Sequence, residues 1–383
     1  MGQVMTRLLI ASTVATTIES FLLPFADHFR AKGWAVDAMA KGATASSRIE
    51  GAFDRVFDAE WSRSPVRLAN VIGSPGEVRS VVDDGGYDIV HVHTPVASWV
   101  TRFALRRRTH PPVVYTAHGL HFHPEGSAFR NRLFRFLEKQ AAPWTDQLVV
   151  MNGFDELAAP QLGYPGNRVH RTFGIGVDPD EFDPDRVASR TGQLRAELGF
   201  PATTRLVLMV GEFIERKRHE DAIAAISQLD RDVHLLLAGS GPRFQYVAEL
   251  AASLGCEERV HMLGHRQDVP ELIAMSDILL LPSSQEGLPR CILESMSMAT
   301  PVIASDIRGS SDLLEAGAGI LVPIRDTARY AYEIRGLLAD PERLRRMGQL
   351  GRQQVLERYA IDKILGSYEE IYEQAMRAGR RSR

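Results

Sequence analysis

Gln285-Glu286-Gly287-Leu288-Pro289-Arg290-Cys291-Ile292-Leu293-Glu294 sets two glutamates eight positions apart, directly behind the apolar run Asp277-Ile278-Leu279-Leu280-Leu281-Pro282. The apolar run reads as a buried strand, and the residues after it read as a loop and then a helix. Pro289 suits the first helical turn, where a missing N–H costs nothing. With a rise of about 1.5 Å per residue, the two carboxylates stand roughly 10–12 Å apart along the helix axis. That is the span from a sugar ring across a diphosphate to a ribose. Free backbone amides at the helix start lie between them and favour an anion. One carboxylate can then accept hydrogen bonds from sugar hydroxyls and the other from ribose hydroxyls. A plain loop glutamate followed by a solvated helix glutamate is the competing reading.

The same strand–loop–helix alternation runs through the whole chain, which is the signature of parallel α/β layers. In the first half, strands are predicted near 7–12, 34–40, 87–92, 112–117, 146–152 and 168–173. Helices are predicted over 18–32, 75–84, 95–108, 127–143 and 153–161. The acidic, proline-punctuated stretch Val177-Asp178-Pro179-Asp180-Glu181-Phe182-Asp183-Pro184-Asp185 reads as an interdomain linker. A second series has strands near 205–211, 233–238, 259–263, 277–282, 301–305 and 319–322. It ends in helices over 326–338 and 341–358 and a closing one over about 362–378. The expected architecture is α/β, with two Rossmann-like domains, 1–180 and 190–360, facing each other across a cleft. The closing helix is free to pack back onto the first domain. Ligands bind such folds at the carboxyl ends of the strands.

Bulk properties narrow the functional classes. A chain of 383 residues is long for one core and suits two domains. Its 44% hydrophobic and 24% charged content is that of a globular protein. A net charge of −3 gives no general pull toward nucleic acid or acidic membranes. Cys256 and Cys291 are the two cysteines, which leaves neither a disulfide framework nor a cysteine zinc site and fits a reducing cytoplasm. Apolar runs such as 206–210 are strand-sized, far short of a transmembrane span. The first of them, 8–11, is too short for the core of a cleavable signal. Met1-Gly2-Gln3-Val4-Met5-Thr6 matches the myristoylation pattern, a loose one that recurs by chance.

Several loops at strand ends carry candidate chemistry. Gly211-Glu212-Phe213-Ile214-Glu215-Arg216-Lys217 ends a strand in glycine and a loop in adjacent cations. It suits a diphosphate clamp, or simply solvated cations at a helix start. Ala238-Gly239-Ser240-Gly241-Pro242 is a tight turn, but Phe244 stands where a dinucleotide fingerprint has its third glycine, so a nicotinamide site is a poor reading. Leu263-Gly264-His265-Arg266-Gln267-Asp268-Val269 ends another strand, and His265, Arg266 and Val269 can shape a nucleobase pocket.

The first half holds six histidines in a short span: His91, His93, His110, His118, His121 and His123. Residues i and i+2 of a strand share a face, so His91 and His93 invite a metal reading of the amidohydrolase kind. Later strands lack the further ligands such a centre uses. His118, after Tyr115-Thr116-Ala117, is a candidate polar or catalytic group, the alternative being a backbone-satisfied structural histidine. Between 102 and 139 the basic residues Arg102, Arg106, Arg107, Arg108, Arg130, Arg132, Arg135 and Lys139 outweigh Glu125 and Glu138. The segment 127–139, with Phe129, Leu133, Phe134, Phe136 and Leu137 interleaved, can rest on an anionic lipid surface or greet a lipid diphosphate. Otherwise it is a helix with its apolar stripe packed and its arginines solvated.

Taken in order, these segments resemble the retaining family 4 glycosyltransferases of the two-Rossmann (GT-B) fold. Within them, the likeness is to the bacterial branch that assembles capsular, exopolysaccharide or lipid-linked glycans. The resemblance is carried by Val210-Gly211 with Lys217, by Leu237-Ala238-Gly239-Ser240-Gly241-Pro242, by Gly264, and most strongly by Glu286 to Glu294 with Thr300-Pro301-Val302-Ile303-Ala304. In the first half it is carried by Tyr87-Asp88-Ile89-Val90-His91-Val92-His93-Thr94-Pro95 and Tyr115-Thr116-Ala117-His118-Gly119, with the run from Glu138-Lys139 to Met151-Asn152. The resemblance implies transfer of a hexose or N-acetylhexosamine from a nucleotide sugar, uridine-linked, to a lipid-linked or polysaccharide acceptor, with retention and without a metal or other cofactor. It implies Arg216 and Lys217 on the donor diphosphate with the amides of Gly287 and Leu288, Glu294 on the ribose, Glu286 on the transferred sugar, and His118 beneath the reacting centre. The same likeness implies a cytoplasmic enzyme at the inner membrane face, without nucleic-acid partners. A nucleotide-sugar epimerase on a similar two-domain fold and a non-catalytic sugar-nucleotide-binding partner are the rival functions. Three positions depart from the family pattern: Glu212 replaces a frequent arginine, Ala299 a glycine at a left-handed helix cap, and Thr13 to Ser20 lacks the glycines many relatives place near the donor.

Overall fold

A computed structural model of the chain describes residues 5–61, 73–106, 110–122, 127–315 and 317–381. Gly2, Arg107, Arg108, His123, Glu125, Ser382 and Arg383 lie outside the described residues. The chain divides into two compact units, one of Met1–Ile175 with Ile364–Arg383 and the other of Gly176–Lys363.

In the first unit, the described residues form a seven-stranded parallel sheet: β1 (Arg7–Val14), β2 (Ala35–Lys41), β3 (Val56–Asp58), β4 (Ile89–His93), β5 (Val113–Ala117), β6 (Gln147–Val150) and β7 (Val169–Arg171). Their order is β3-β2-β1-β4-β5-β6-β7. Strands β1, β2 and β4 to β6 are rich in aliphatic residues and buried along most of their length, as parallel strands covered on both faces must be. The chain builds outward from β1 in one direction and then restarts with β4 on its other side, in register through Ile10 and His91. The carboxyl ends of β1 and β4 therefore splay into the crevice where such sheets bind ligands.

The second unit repeats the plan with β8 (Arg205–Val210), β9 (Val233–Ala238), β10 (Val260–Gly264), β11 (Ile278–Leu281), β12 (Val302–Ser305) and β13 (Gly319–Val322). The order is β10-β9-β8-β11-β12-β13. Its reversal falls between β8 and β11, so the loops after Val210 and Leu281 leave the sheet side by side.

A buried ion pair anchors the helical layer of the first unit. Arg102 is fully buried and meets Glu138 at 3.1 Å, Tyr164 Oη at 2.8 Å and the ring of Tyr115 at 4.2 Å. Arg102 thus leaves the basic surface to which its sequence neighbours assign it. Because both charges are withdrawn from water, losing either partner costs about 3–5 kcal/mol. The closing helix, Ile361–Arg381, buries Tyr368 and Tyr372 in this unit, with their hydroxyls on Thr116 Oγ1 at 3.0 Å and His91 Nδ1 at 2.5 Å.

Local readings of the sequence are altered in four places. The helix expected over 18–32 is two, Ala15–Phe21 and Leu23–Ala31, because Pro24 cannot donate into a continuous helix. The first begins straight off β1. The pieces Ser47–Ala52 and β3 have no counterpart among the predicted elements; β3 is an edge strand of two half-buried residues and one exposed, too short to carry a readable period. Stretch 177–185 belongs to the second unit: Val177 N–H donates to Tyr359 O at 3.0 Å, Phe182 is buried, and Asp183 caps the helix Pro184–Glu197. Pro289 precedes the helix Arg290–Ser297 as its cap residue, its carbonyl accepting from Ile292 N–H at 3.1 Å.

Ala299 does occupy the left-handed conformation, at φ 54°, ending the glutamate-bearing helix one residue beyond its cap. A Cβ is strained there. Ala299→Gly is expected to raise stability by about 1 kcal/mol, read as a higher urea midpoint; an unchanged or lower midpoint would contradict the strain.

Candidate functional site

The second unit collects its charged groups where β8 and β11 diverge. Gly211 directly follows β8, and a Cβ there would stand 3.3 Å from Lys217 Cε; its absence leaves room for the lysine stem to pass back across the loop. Lys217 is 9% exposed, so the cation is presented by a buried stem rather than waving in solvent. Its Nζ lies 2.8 Å from Glu286 Oε1, and Arg216 reaches the other oxygen at 3.1 Å. Two hydrogen bonds hold the loops together: Ser284 N–H donates to Arg216 O at 2.8 Å, and the Arg216 guanidinium donates to Gln285 O at 3.1 Å.

Burial is the largest influence on the Glu286 carboxyl and works against its charge. The two cations outweigh burial and hold it below the usual carboxylate range. Glu294 has the opposite balance. Burial pushes its carboxyl up, Glu181 adds to this, and Arg290 at 3.3 Å compensates only in part. The Cys291 thiol between them is buried and pushed up to about 12, an inert packing group.

Glycines let the neighbouring loops close in. A Cβ on Gly309 would fall 2.3 Å from Gly287 O, and one on Gly239 would fall 1.9 Å from Gly211 O, so loops 306–310 and 238–242 press directly on the Gly287-Leu288 and Gly211 backbones. His265 is exposed and Val269 half-buried beyond β10, two strands or roughly 10 Å from β8. Arg266 is held against Asp268 at 2.5 Å. His219 and Phe213 are additions that the sequence reading missed. Their rings stack at 4.2 Å and 13°, and burial first, then Lys217 and Arg243, take His219 down to about 4. Adjacency to Lys217 was the available signal.

In the first unit, His118 directly follows β5, one strand from the β1–β4 crevice. It is half-buried, and its Nε2 lies 2.9 Å from His93 Nδ1. Burial, with His121 nearby, lowers it to about 4, so it is neutral near pH 7. The loop beyond it is pinned by Leu120 N–H on Asp155 at 2.9 Å. At the crevice itself Thr94 takes φ 65°, and its hydroxyl meets Thr13 Oγ1 at 2.6 Å. Thr13, Thr17, Thr94, His121, Arg130 and Phe134 help line a cavity of about 360 Å³ there. The strand-face pair His91 and His93 does not converge on a metal position. His91 uses both ring nitrogens on Tyr372 and Thr116 hydroxyls, and among the described residues no group of three or more His, Cys, Asp or Glu is arranged to hold an ion. No described helix is long and apolar enough to cross a membrane.

Comparison with known proteins agrees with this layout. Residues 18–180 match the model of Glycosyltransferase Family 4, and residues 191–354 match that of Glycosyl transferases group 1. EpsD of Bacillus subtilis (strain 168) is 32% identical, over 96% of this chain and 96% of its own. The UDP-Gal:alpha-D-GlcNAc-diphosphoundecaprenol alpha-1,3-galactosyltransferase of Escherichia coli is 26% identical over 75% of each. Anabaena HepE, solved in complex with UDP and glucose, superposes with a TM-score of 0.79 at 22% identity, covering 95% of this chain and 98% of that one. The chain belongs to the family 4 glycosyltransferases and has their GT-B fold.

Lys217→Met should reverse the balance at Glu286. With the nearer cation gone, burial dominates, and the carboxyl should titrate above its ordinary 4.5 in a carbon-detected NMR titration. A value still below 4.5 would show that Arg216 alone sustains the site.

Proposed function

We propose that this glycosyltransferase moves a hexose or N-acetylhexosamine from a uridine-linked nucleotide sugar to a lipid-linked or polysaccharide acceptor, retaining the anomeric configuration. The observation that carries the reading is the buried Glu286 carboxylate held between Lys217 and Arg216 at the β8–β11 divergence. Without donor, Lys217 and Arg216 both hold the single Glu286 carboxylate, and the cluster keeps a net positive charge. An arriving diphosphate competes for the two cations, and the sugar hydroxyls replace them as donors to Glu286. Lys217 and Arg216 then sit where negative charge grows as the glycosidic bond to phosphate breaks, which stabilises the leaving group electrostatically. The amides of Gly287 and Leu288 face the same diphosphate, Glu294 takes the ribose hydroxyls, and His265, Arg266 and Val269 border the base. His118 contributes a neutral imidazole to the transferred sugar. Charge stabilisation by cations and amides makes a metal dispensable in this scheme. The E. coli relative, named for a UDP-linked donor and a diphosphoundecaprenol-linked acceptor, supports the choice of both substrates.

Such an acceptor lies at an anionic membrane. The helix Ala128–Ala141 offers it Phe129 and Phe136, which are 80% and 57% exposed, with Arg130, Arg132, Arg135 and Lys139 around them. Apolar side chains ringed by cations are what an interfacial helix needs.

Two experiments test this reading. Glu286→Ala or Lys217→Ala should lower turnover at least about 100-fold with a UDP-hexose donor and a polyprenyl-diphosphate-linked sugar, while EDTA leaves the wild type active; near wild-type turnover in either variant contradicts the assignment. In sedimentation with phosphatidylglycerol vesicles, Phe129→Ser combined with Phe136→Ser should abolish membrane recovery that the wild type shows. Equal recovery of the two would exclude the helix as the contact.

A further inference from the structure

Beside His118, the structure holds a second histidine with an unusual environment. His93 is the last residue of β4 and fully buried. Its Nδ1 meets His118 Nε2 at 2.9 Å, while its Nε2 is buried with no hydrogen-bond partner. Burial first, then His91 and His118, pushes its basicity well below the ordinary range, so the ring carries one proton.

That proton has two positions to choose from. On Nε2 it would leave a buried N–H with nothing to donate to, an arrangement native interiors avoid more strongly than an unused acceptor. On Nδ1 it is donated to His118 Nε2, and only a lone pair is left unmatched. The second arrangement also decides the state of His118. With Nε2 accepting, the single proton of the neutral His118 ring must sit on Nδ1, for which the described residues show no protein partner.

We propose that His93 is a positioning residue that sets the tautomer of His118, so that His118 offers its substrate an Nδ1–H donor and cannot serve as a base from that nitrogen. A hydrogen bond to one ring nitrogen of an imidazole fixes which protonation state the other presents to the chemistry. The inference rests on the reading of His118 as a group touching the transferred sugar, and it adds the direction of that contact: His118 donates to a sugar oxygen. The titratable groups around the pair are His91 on β4, His121 in the loop beyond β5, and Tyr368 and Tyr372 on the closing helix, whose hydroxyls are engaged with Thr116 and His91. Phe21 and Phe25 cover the imidazoles from the opening helices, with Phe21 6.2 Å from His118 and Phe25 6.3 Å from His93.

The test compares two substitutions of nearly equal size that differ in hydrogen-bond sense. His93→Asn keeps an N–H donor close to the Nδ1 position, and His93→Asp puts a carboxylate acceptor there. In the full-length protein labelled with ¹⁵N-histidine, long-range nitrogen–proton correlation should show wild-type His118 protonated on Nδ1, its signals assigned with His118→Gln. H93D should move the proton to Nε2 and raise the pH at which His118 titrates from about 4 to above 6. At pH 7, H93N should turn over at least ten times faster than H93D, with donor KM values within about threefold of each other. A wild-type His118 protonated on Nε2, or equal losses in H93N and H93D, overturns the proposal. The wild-type spectrum decides the tautomer even if H93D fails to fold. Near wild-type turnover in His118→Ala would instead overturn the catalytic reading of His118, leaving the hydrogen bond to be judged by the spectrum.

Discussion

A carboxylate that has lost its water must find charge elsewhere, and Glu286 finds it in Lys217 and Arg216. Everything around the second unit's candidate site can be understood as the cost of keeping these three groups together. The lysine stem needs the space that Gly211 leaves open. The loops after β8 and β11 must leave the sheet as neighbours, which only a strand order reversing between them provides. Gly239 and Gly309 let the flanking loops press backbone against backbone, so the cluster is walled by rigid chain rather than by mobile side chains.

The first unit solves a different problem with the same sheet plan. Its crevice is lined mainly by uncharged polar groups, threonine hydroxyls and neutral imidazoles beside the strained Thr94 backbone, with Arg130 among the lining residues. Burial keeps His91, His93 and His118 neutral, and the hydroxyls of Tyr372 and Thr116 satisfy the His91 ring, with Tyr368 bonded in turn to Thr116. The closing helix is therefore part of the histidine network although it lies some 250 residues away in sequence, as the Thr116–Tyr368 bond shows. Strain at Thr94 sits where functional sites tend to hold it.

Some features of this molecule are legible in its sequence and others are not, for physical reasons. The aliphatic runs of β1, β2, β4 to β6, β8, β9, β11 and β12 were legible because strands buried on both faces need unbroken apolar stretches. The glutamate pair and the Arg216-Lys217 dipeptide stood out as candidates because loops at strand ends are where ligands meet this kind of sheet. β3 was not legible: a strand of three residues, two half-buried and one exposed, has no period to read. Pro24 was present in the sequence but was overridden by the apolar residues around it. Arg102 looked like a member of a basic surface cluster, and nothing local reveals that Glu138, Tyr164 and Tyr115 enclose it.

The sequence by itself determined the class of the fold, the family and the residue types available for binding, since each depends on patterns within some ten to twenty consecutive residues. Only the tertiary structure decided partnership. That Glu286 closes on Lys217, that His93 faces His118 and that a tyrosine from the last helix completes His91 are consequences of strand order and burial. Those pairings join positions tens to hundreds of residues apart, and no local pattern encodes which of many polar groups will share a buried space.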